Sequence, residues 1–295
     1  MSGRTWEDLA VIASLRRQRA TAPRQTGLTM IIDTGLGLRA TEDVLEVAGD
    51  FIDLWKFSFG TSVFLKREVL RRKIALINAC GIMTCPGGTL FEAAILQHHC
   101  RVYMDCAAET GFTAVEISDG TIDLPAHRRQ RVIACARDVD LVVVSEVGKK
   151  DPKAQPALAD LAQQALRDLE DGAQWVIVEG RESGKGVGVY DDAGLVAGGA
   201  FDVFASAMGP LVERLIWEAP LKSQQAALVE RFGVNVGLGN VAPTDVLALE
   251  ALRAGLRFET LKPIADGLAA SGDWIPGQLE PAPAPGLVAA GLTHV

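Results

Sequence analysis

The sequence predicts an α/β protein built as a (β/α)8 TIM barrel, and three observations lead to that prediction. Short apolar segments alternate with amphipathic segments eight times along the chain, which is the order of strands and helices in such a barrel. The repeat occupies somewhat over two hundred residues, which matches the size of this fold. Nearly every predicted strand ends in a polar or charged residue, as expected where the strand ends meet at one active-site face. An open doubly wound sheet is the alternative fold.

The first half of the chain supplies four strand–helix units behind an N-terminal extension. Residues 5–19 form an amphipathic pattern that predicts an extra helix ahead of the barrel. Thr41, followed by two carboxylates, marks the start of the first barrel helix. The predicted strands are 28–33, 51–57, 81–85 and 112–117, and the predicted helices are 41–48, 67–80, 90–110 and 125–137.

The second half repeats the alternation and then changes character. After Leu261 the chain becomes rich in Ala, Pro and Gly with little periodicity, which predicts a flexible C-terminal tail. We therefore divide the chain into a helical extension (1–26), a barrel domain (27–261) and a tail (262–295). The predicted strands are 140–146, 175–178, 214–218 and 234–238, and the predicted helices are 155–171, 201–209, 223–231 and 243–255.

Composition and charge argue against several classes of function. The 295 residues include 29 Lys and Arg against 37 Asp and Glu, which gives a net charge of −8. The chain therefore lacks the basic excess that binding to nucleic acid or to an anionic membrane surface requires. No apolar run is long enough to span a bilayer, and the N-terminal segment is unlike a signal peptide. We expect a cytoplasmic protein.

Cysteine and histidine offer little for catalysis in this sequence. Five cysteines, an odd number without a C-x-x-C pair, predict free thiols in a reducing compartment. Cys85 lies at a strand end, where it is either a nucleophile or, as lone cysteines more often are, a packing residue. The four histidines fall on predicted helices, at a helix start or in the tail, which argues against a histidine metal site. We therefore expect Lys, Arg, Asp and Glu to carry the chemistry.

The most chemically dense stretch follows the predicted strand at 175–178. Residues 179–188 bring carboxylates, a guanidinium, a hydroxyl and an ammonium group together with four glycines, whose backbone can approach a ligand closely. Such a loop suits an oxyanion: a phosphate, a sulfonate or a carboxylate. It matches neither the P-loop nor the dinucleotide-binding glycine pattern. Glycine-rich loops after strands also serve simply to turn the chain, and this alternative stays open.

Five sequence motifs occur in order along the barrel region, from about residue 27 to residue 257. They are PGGTLFE (86–92), EISDGTID (116–123), SEVGKK (145–150), EGRESGKG (179–186) and EAPLKSQQ (218–225). Together they resemble the phosphosulfolactate synthase family, which is also similar to a plant heat-stress-associated protein. The resemblance implies a (β/α)8 barrel, homo-oligomeric association, and a magnesium-dependent addition of sulfite to phosphoenolpyruvate. The product would be (2R)-phospho-3-sulfolactate, made by a carbon–sulfur lyase on the route to coenzyme M.

The residue types in these motifs suit that reaction. Sulfite would attack the methylene carbon of phosphoenolpyruvate and push negative charge onto its carboxylate, where a carboxylate-bound Mg²⁺ can stabilise it. By resemblance Lys150 is the general acid that protonates the intermediate, with Lys149 and Glu146 beside it. A desolvated lysine near other cations is expected to have a lowered pKa. The candidate metal ligands are Glu116, Asp119, Glu146 and Glu179, together with Asp33.

Cations and backbone amides at the barrel mouth are the candidates for binding the phosphate and sulfite groups. Lys56, Arg181 and Lys185 supply the charges, and Arg181 can make a bidentate contact with an oxyanion. Lys56 alternatively forms a buried ion pair with Glu116 or Asp33. The remaining candidates are Gly87, Gly88, Thr89, Ser183, Gly184 and Asn240, with the amides of residues 184–186 completing an anion cradle.

Three departures from the family pattern concern the rim of the predicted barrel. Thr34 stands where the family commonly has lysine, Cys85 where an aromatic residue often precedes Pro-Gly-Gly, and Phe258-Glu259 where Gly-Asp is usual. These changes leave open a different phosphorylated enol acid or a different nucleophile as substrate. Two further alternatives are a non-enzymatic relative of the heat-stress-associated type and a Schiff-base aldolase that uses Lys149 or Lys150.

Overall fold

The barrel prediction is confirmed by a computed structural model, which describes residues 18–278. The strands within that range are β1 (Thr29–Asp33), β2 (Leu54–Phe57), β3 (Met83–Pro86), β4 (Ala114–Ile117), β5 (Val142–Val147), β6 (Trp175–Val178), β7 (Leu215–Glu218) and β8 (Gly237–Val241). They form one parallel sheet in the order β3-β2-β1-β8-β7-β6-β5-β4. Because β1 pairs with both β2 and β8, the first and last strands are neighbours, and the sheet curves into a barrel.

Strands β3 and β4 are the two ends of the sheet, and they lie side by side without a regular hydrogen-bond ladder between them in residues 18–278. The ring is therefore nearly closed at this position. Two hydrogen bonds join the chain at this seam. The Thr113 N–H donates to the Thr84 carbonyl (3.1 Å), and the Thr84 N–H donates to Thr113 Oγ1 (3.0 Å). The eight strands therefore enclose a single interior.

Helices cover the outer face of the ring. They are α1 (Leu38–Ala48), α2 (Arg67–Ala79), α3 (Gly88–Leu96), α4 (Cys100–Thr110), α5 (Ala126–Arg137), α6 (Leu158–Asp171), α7 (Ala200–Met208), α8 (Lys222–Phe232), α9 (Val246–Arg253) and α10 (Phe258–Ser271). Helix α6 illustrates why these segments are helical, since Leu161, Ala162 and Ala165 recur on one buried face. Gly172 ends it in the left-handed conformation that glycine adopts readily.

Several boundaries differ from the sequence prediction. Helix α1 begins at Leu38, so Thr41 lies inside the helix rather than at its start. Two further differences have local reasons. The single helix expected over 90–110 is divided into α3 and α4, because His98 adopts a left-handed conformation (φ 61°) and turns the chain. Strand β8 begins at Gly237 rather than at residue 234. A Cβ on Gly237 would lie 2.3 Å from the Leu215 carbonyl oxygen, so this glycine is a strand residue in close contact with β7.

The two ends of the chain fall partly outside the described residues. The helix predicted over 5–19 lies almost entirely in that part, and so do residues 279–295 of the predicted tail. Residues 262–271, which the sequence analysis assigned to the tail, belong to helix α10. Their Ala and Leu residues favour a helix in spite of Pro263. None of the helices between residues 18 and 278 is long and apolar enough to cross a membrane.

Side chains alternate between the inside and the outside of the ring, and this alternation places the charged groups. Inside the barrel, one apolar cluster includes Leu54, Ala114, Val144, Ile177 and Ile216. The residues next to these along each strand pack against the helices instead. Two positions further along the same strands, the inward-facing rows continue with charged residues. These are Lys56, Glu116, Glu146, Glu179 and Glu218.

A buried arginine on α5 ties helix α6 to the carboxyl ends of two strands. Arg129 donates through Nε (2.8 Å) and Nη2 (2.7 Å) to the Asp168 carboxylate. Its Nη2 also donates to the Glu146 carbonyl (2.7 Å), and its Nη1 donates to Asp119 (3.1 Å). Both Arg129 and Asp168 are fully buried. Removal of either residue would therefore leave the other as a buried charge without a partner.

Replacing Arg129 with methionine should lower the free energy of unfolding by about 3–5 kcal/mol, because Asp168 is left buried without its partner. The control is Arg231→Met, which removes an exposed ion pair with Asp202 (2.8 Å). That change should cost about 1 kcal/mol or less, as surface pairs do. Urea unfolding of the three proteins measures both effects. Equal losses in the two variants would contradict the structural role of Arg129.

Candidate active site

The inward-facing charged side chains line a pocket at the carboxyl ends of the strands. This is the face of the barrel where enzymes with this fold bind their substrates. The pocket together with its open mouth encloses about 350 Å³. It is lined by Ile32, Lys56, Ser58, Phe59, Gly87, Gly88, Thr89, Glu116, Glu146, Lys150, Glu179, Arg181, Glu182, Glu218 and Asn240. Most of the residues that the sequence analysis proposed for the site therefore lie together here.

Lys56 lies in the pocket floor, surrounded by glutamates. Its Nζ is 2.9 Å from Glu116 Oε2 and 3.0 Å from Glu218 Oε1, and Glu146 Oε2 is 3.8 Å away. Burial by itself lowers the pKa of Lys56, but the three carboxylates outweigh it and raise the pKa well above its usual value. Lys56 is therefore a fixed cation, and the ion pair with Glu116 that the sequence left open is formed.

Glu116 is held between Lys56 and the start of α3. Its Oε1 accepts a hydrogen bond from the Gly88 N–H (2.8 Å). A Cβ on Gly88 would lie 2.5 Å from this oxygen, so the close approach requires glycine. Burial raises the pKa of Glu116, Lys56 opposes this shift and Glu146 adds to it, with a resulting pKa of about 7.

Lys150 lies at the side of the pocket with about a third of its side chain exposed. Its Nζ is 3.8 Å from Glu146 Oε1 and 3.9 Å from Glu179 Oε2. Burial lowers the pKa of Lys150, but Glu146, Glu179 and Glu116 outweigh it, so the pKa is raised. The expectation of a lowered pKa was wrong for this structure, because carboxylates rather than cations dominate around the amine.

The two lysines have the opposite effect on Glu146. Burial raises the pKa of this carboxyl group, but Lys150 and Lys56 lower it more, and the pKa is about 2. Ser118 Oγ lies 2.8 Å from Glu146 Oε1 and also favours the charged form. Glu146 is therefore a fixed negative charge in the middle of the pocket.

Glu146, Glu179 and Glu218 form a carboxylate cluster that suits a metal ion. All three are buried, and each offers one oxygen that lies within 4.8 Å of the other two. Glu179 Oε2 has no hydrogen-bond partner in the described part of the chain. Burial, together with Glu146 and Glu218, raises the pKa of Glu179 well above its usual value. A hard divalent cation such as Mg²⁺ would give this oxygen a partner.

The formal charge of the pocket lining supports the same conclusion. With every group ionised, five glutamates face Lys56, Lys150 and Arg181 and leave a charge of −2. The raised pKa values of Glu116 and Glu179 mean that protons offset part of this charge near neutral pH. This excess contributes to the raised pKa of Glu179, and a divalent cation would cancel it. The residues present therefore fit Mg²⁺. The sequence analysis did not include Glu218 among the metal ligands, although its position two residues after the inward-facing Ile216 was a usable signal.

Asp33, a candidate metal ligand, does not line the pocket and anchors the barrel instead. It accepts hydrogen bonds from Trp55 Nε1 (2.7 Å) and from Lys73 Nζ. The N–H groups of Gly35 and Leu36 also donate to it (2.8 Å each). These four donors occupy the carboxylate, which leaves it poorly suited to a metal ion.

Asp119 and Lys149 contact each other outside the pocket. Lys149 Nζ lies 3.3 Å from Asp119 Oδ2 and donates to the carbonyl oxygens of Asp119 (2.7 Å) and Ile122 (2.8 Å). Asp119 also accepts from Arg129 Nη1 (3.1 Å). Both side chains therefore shape the loop after β4, and neither lies where the sequence analysis expected it.

The glycine-rich loop after β6 contributes fewer pocket residues than predicted. Arg181 lines the pocket in a left-handed conformation (φ 59°), and its N–H donates to Glu179 Oε1 (2.7 Å). Gln224 of α8 fastens the far side of the loop by donating to the Gly184 carbonyl (2.7 Å). The predicted binding residues that do not line the pocket are Ser183, Gly184 and Lys185.

Three of the backbone amides proposed as an anion cradle already have acceptors within the protein, and Gly184 and Lys185 do not line the pocket. The Gly87 N–H donates to the Phe57 carbonyl (2.8 Å), and the Gly88 N–H donates to the glutamate described above. The Gly186 N–H donates to the Asp191 carbonyl (2.8 Å). An anion in this pocket would therefore depend on side chains rather than on these amides.

Asn240 and Phe59 line the pocket, whereas Cys85 does not. Asn240 Oδ1 is buried and has no hydrogen-bond partner between residues 18 and 278, so it is available to a ligand. Phe59 lines the mouth with a left-handed backbone (φ 55°) that no pattern in the sequence indicated. Cys85 lies in the inner apolar cluster, where burial and Glu116 raise the pKa of its thiol. Its environment is that of a packing residue.

The raised pKa of Glu116 predicts a pH dependence of stability in the metal-free protein. The group ionises at its ordinary pKa of 4.5 in the unfolded chain and at about 7 in the folded protein. The free energy of unfolding should therefore fall by about 3 kcal/mol as the pH rises from 4.5 to about 7, because the folded protein holds this proton more tightly than the unfolded chain does. Glu116→Gln removes this component.

Urea unfolding at several pH values, with a chelator present, compares Glu116→Gln with the wild-type protein. The free energy of unfolding of the variant should rise relative to wild type by about 3 kcal/mol between pH 4.5 and pH 7. The exposed Glu213→Gln is the control and should show a constant difference. A constant difference for Glu116→Gln as well would contradict the prediction.

Comparisons with known proteins identify the family of this chain. A family model for (2R)-phospho-3-sulfolactate synthase matches residues 17–259. The chain is 43% identical over 238 residues to the phosphosulfolactate synthase of Methanocaldococcus jannaschii, which covers 80% of this chain and 94% of that protein. It is 38% identical over 245 residues to the phosphosulfolactate synthase of Methanothermobacter thermautotrophicus, covering 82% and 94%.

Two weaker similarities complete the comparison. Protein HEAT-STRESS-ASSOCIATED 32 of Arabidopsis thaliana is 22% identical over 264 residues, covering 80% of this chain and 88% of that protein. The solved structure of KGPDC from Streptococcus mutans has a TM-score of 0.51 at 12% identity, covering 80% of this chain and 98% of that chain. That likeness concerns the fold alone. On the family match and the identities above 30%, this chain belongs to the phosphosulfolactate synthase family.

Proposed function

We propose that this chain adds sulfite to phosphoenolpyruvate and forms (2R)-phospho-3-sulfolactate. The observation that carries the proposal is a buried glutamate cluster beside a paired lysine and an arginine, in a chain of the phosphosulfolactate synthase family. The reaction forms a bond between the sulfite sulfur and the methylene carbon, and it adds one proton to carbon 2. The site must therefore bind anionic groups, stabilise negative charge and supply a proton.

Mg²⁺ is the cofactor that we propose, with Glu146, Glu179 and Glu218 as its ligands. Their buried oxygens lie close together, and the formal charge of the lining matches a divalent cation. When bound, the ion would stabilise the negative charge that develops on the substrate carboxylate. Lys56 contacts Glu218 Oε1, and the Gly180 N–H donates to Glu218 Oε2 (3.1 Å), so this ligand is held in place by the protein.

Lys150 is the general acid that we propose. Of the two lysines in the pocket lining, Lys56 is buried and in contact with two carboxylates, whereas the Lys150 amine is partly exposed. The raised pKa of Lys150 keeps it protonated at neutral pH, which is the form that donates a proton. A cation on Glu146 and Glu179 would cancel part of the charge that raises this pKa, and would make the proton easier to release.

The same charges argue against the Schiff-base alternative. An amine nucleophile must be neutral, and the raised pKa of Lys150 opposes this state. Lys149 is held by Asp119 and by the Ile122 carbonyl, outside the pocket. Arg181, which lines the mouth, is better suited to bind the phosphate or sulfite oxygens. The unpartnered Asn240 Oδ1 is an acceptor, so it would need a donor group on the ligand.

Thr34, which replaces the lysine common in the family, is exposed just after β1 and does not line the pocket. The replacement therefore alters the rim and leaves the glutamate cluster and Lys150 unchanged. A different phosphorylated enol acid or nucleophile remains the alternative. Cytoplasmic location, homo-oligomeric association and a place on the route to coenzyme M also remain predictions.

Purified protein with Mg²⁺ should consume phosphoenolpyruvate only when sulfite is present, with a new phosphorylated product in the phosphorus NMR spectrum. Lys150→Ala should lower turnover about a hundredfold to ten-thousandfold, because a general acid contributes that much to the rate. Lys153→Ala removes an exposed lysine nearby and should leave turnover unchanged. A folded, metal-loaded wild-type protein that forms no product would refute the proposal, and other phosphorylated enol acids would be assayed next.

Removal of the metal by a chelator should abolish turnover, and Mg²⁺ should restore it. Glu179→Gln should weaken Mg²⁺ binding by at least about tenfold, because it removes a charged ligand of the cluster. Isothermal titration calorimetry measures the affinity. Glu213→Gln, an exposed glutamate outside the pocket lining and the cluster, is the control and should bind Mg²⁺ nearly as the wild type does. Equal affinities in the two variants would count against the assigned ligands.

A further inference from the structure

Two buried residues behind the pocket contact the proposed site without lining it. They are Glu92 of α3 and Ser118, which follows β4, with 3% and 0% of their surfaces exposed. Ser118 Oγ lies 2.8 Å from Glu146 Oε1 and 2.9 Å from Glu92 Oε1. One hydroxyl group therefore joins a glutamate of the metal cluster to a carboxylate outside the pocket.

Glu92 and Ser118 also hold the loop formed by residues 118–122. Glu92 Oε2 accepts hydrogen bonds from the N–H groups of Thr121 (3.0 Å) and Ile122 (3.2 Å). Ser118 Oγ accepts a hydrogen bond from the Gly120 N–H (3.2 Å). The carboxylate and the hydroxyl thus hold the backbone of the loop at three amides.

This loop in turn supports Lys150. The Lys150 N–H donates to the Gly120 carbonyl (2.8 Å). A Cβ on Gly120 would lie 3.2 Å from two carbons of the Lys150 side chain, so the lysine stem packs directly against the glycine. A displacement of the loop would therefore move both the main chain and the side chain of Lys150.

We propose that Glu92 and Ser118 are positioning residues for this site. Ser118 orients Glu146 as a metal ligand, and Glu92 holds the loop on which Lys150 rests. The inference rests on the proposed roles of Glu146 and Lys150. Neither Glu92 nor Ser118 touches the space where a substrate would bind, so both act through their neighbours.

The hydrogen-bonding capacity of these groups supplies a conservative variant. Ser118 carries one hydroxyl proton and can donate to one carboxylate at a time. In Glu92→Gln the side-chain oxygen can accept from Thr121 and Ile122, while the amide donates to Ser118. The Ser118 hydroxyl then donates to Glu146, and the network is complete. Glu92→Ala and Ser118→Ala break it.

The experiment combines calorimetry with steady-state kinetics. Ser118→Ala should weaken Mg²⁺ binding about tenfold, as the loss of a hydrogen bond to a metal ligand does. Glu92→Ala should lower kcat about a hundredfold by misplacing Lys150, with little change in KM for phosphoenolpyruvate. Glu92→Gln should restore kcat to near the wild-type value. Ser145→Ala is the matched control, since it removes a buried hydroxyl of the next strand that has no hydrogen-bond partner.

The possible outcomes separate this inference from the proposed function. Wild-type Mg²⁺ affinity and kcat in folded Ser118→Ala would overturn the inference, and so would equal losses in Ser145→Ala. A Glu92→Gln variant as impaired as Glu92→Ala would overturn the role given to Glu92. Ser118→Ala keeps the test valid if Glu92→Ala does not fold. If the wild-type protein forms no product, the proposed function fails, while a loss of Mg²⁺ affinity confined to Ser118→Ala still supports the positioning of Glu146.

Discussion

The pocket depends on one buried interaction, the contact of Lys56 Nζ with Glu116 and Glu218. Both glutamates lie directly above the apolar cluster that fills the barrel, where an isolated charge would be costly. Lys56 offsets part of that cost and brings the carboxylates of β4 and β7 toward one another across the barrel. Removal of this cation would leave Glu116 and Glu218 buried without their partner, which would be costly.

Strand periodicity explains why so much of this site could be predicted. Parallel strands in a ring present alternate residues to the interior, and the polar strand ends of the sequence identified the face where chemistry is possible. Lys56, Glu116, Glu146 and Glu179 were proposed as strand-end or motif residues, and each lies at the end of an inward-facing row. The same rule applies to Glu218, which follows Ile216, and it would have placed that residue among the metal candidates.

The errors also have a physical origin. Asp33 follows the pocket-lining Ile32 and so faces outward, toward Trp55 and the helix layer. Asp119 lies in the loop after β4, where Arg129 and Lys149 hold its carboxylate outside the pocket. Membership of a motif did not show which residues face inward and which face outward. The alternation of side chains along a strand does show it, because every second residue points to the same face. Loop residues such as Lys185 have no such alternation, and their positions depend on contacts from distant elements that no local pattern encodes.

The same charges also indicate an order of binding for the proposed reaction. Phosphoenolpyruvate and sulfite are both anions, and the pocket lining has a formal charge of −2 when all its glutamates are ionised. Arg181 and Lys150 are the accessible cations in the described lining, and Lys150 is paired with Glu146 and Glu179. A divalent ion on the cluster would cancel the excess charge and free Lys150 from part of its attraction to the carboxylates. Metal binding should therefore precede substrate binding, because the same glutamates that repel the substrates create the place for the ion that attracts them.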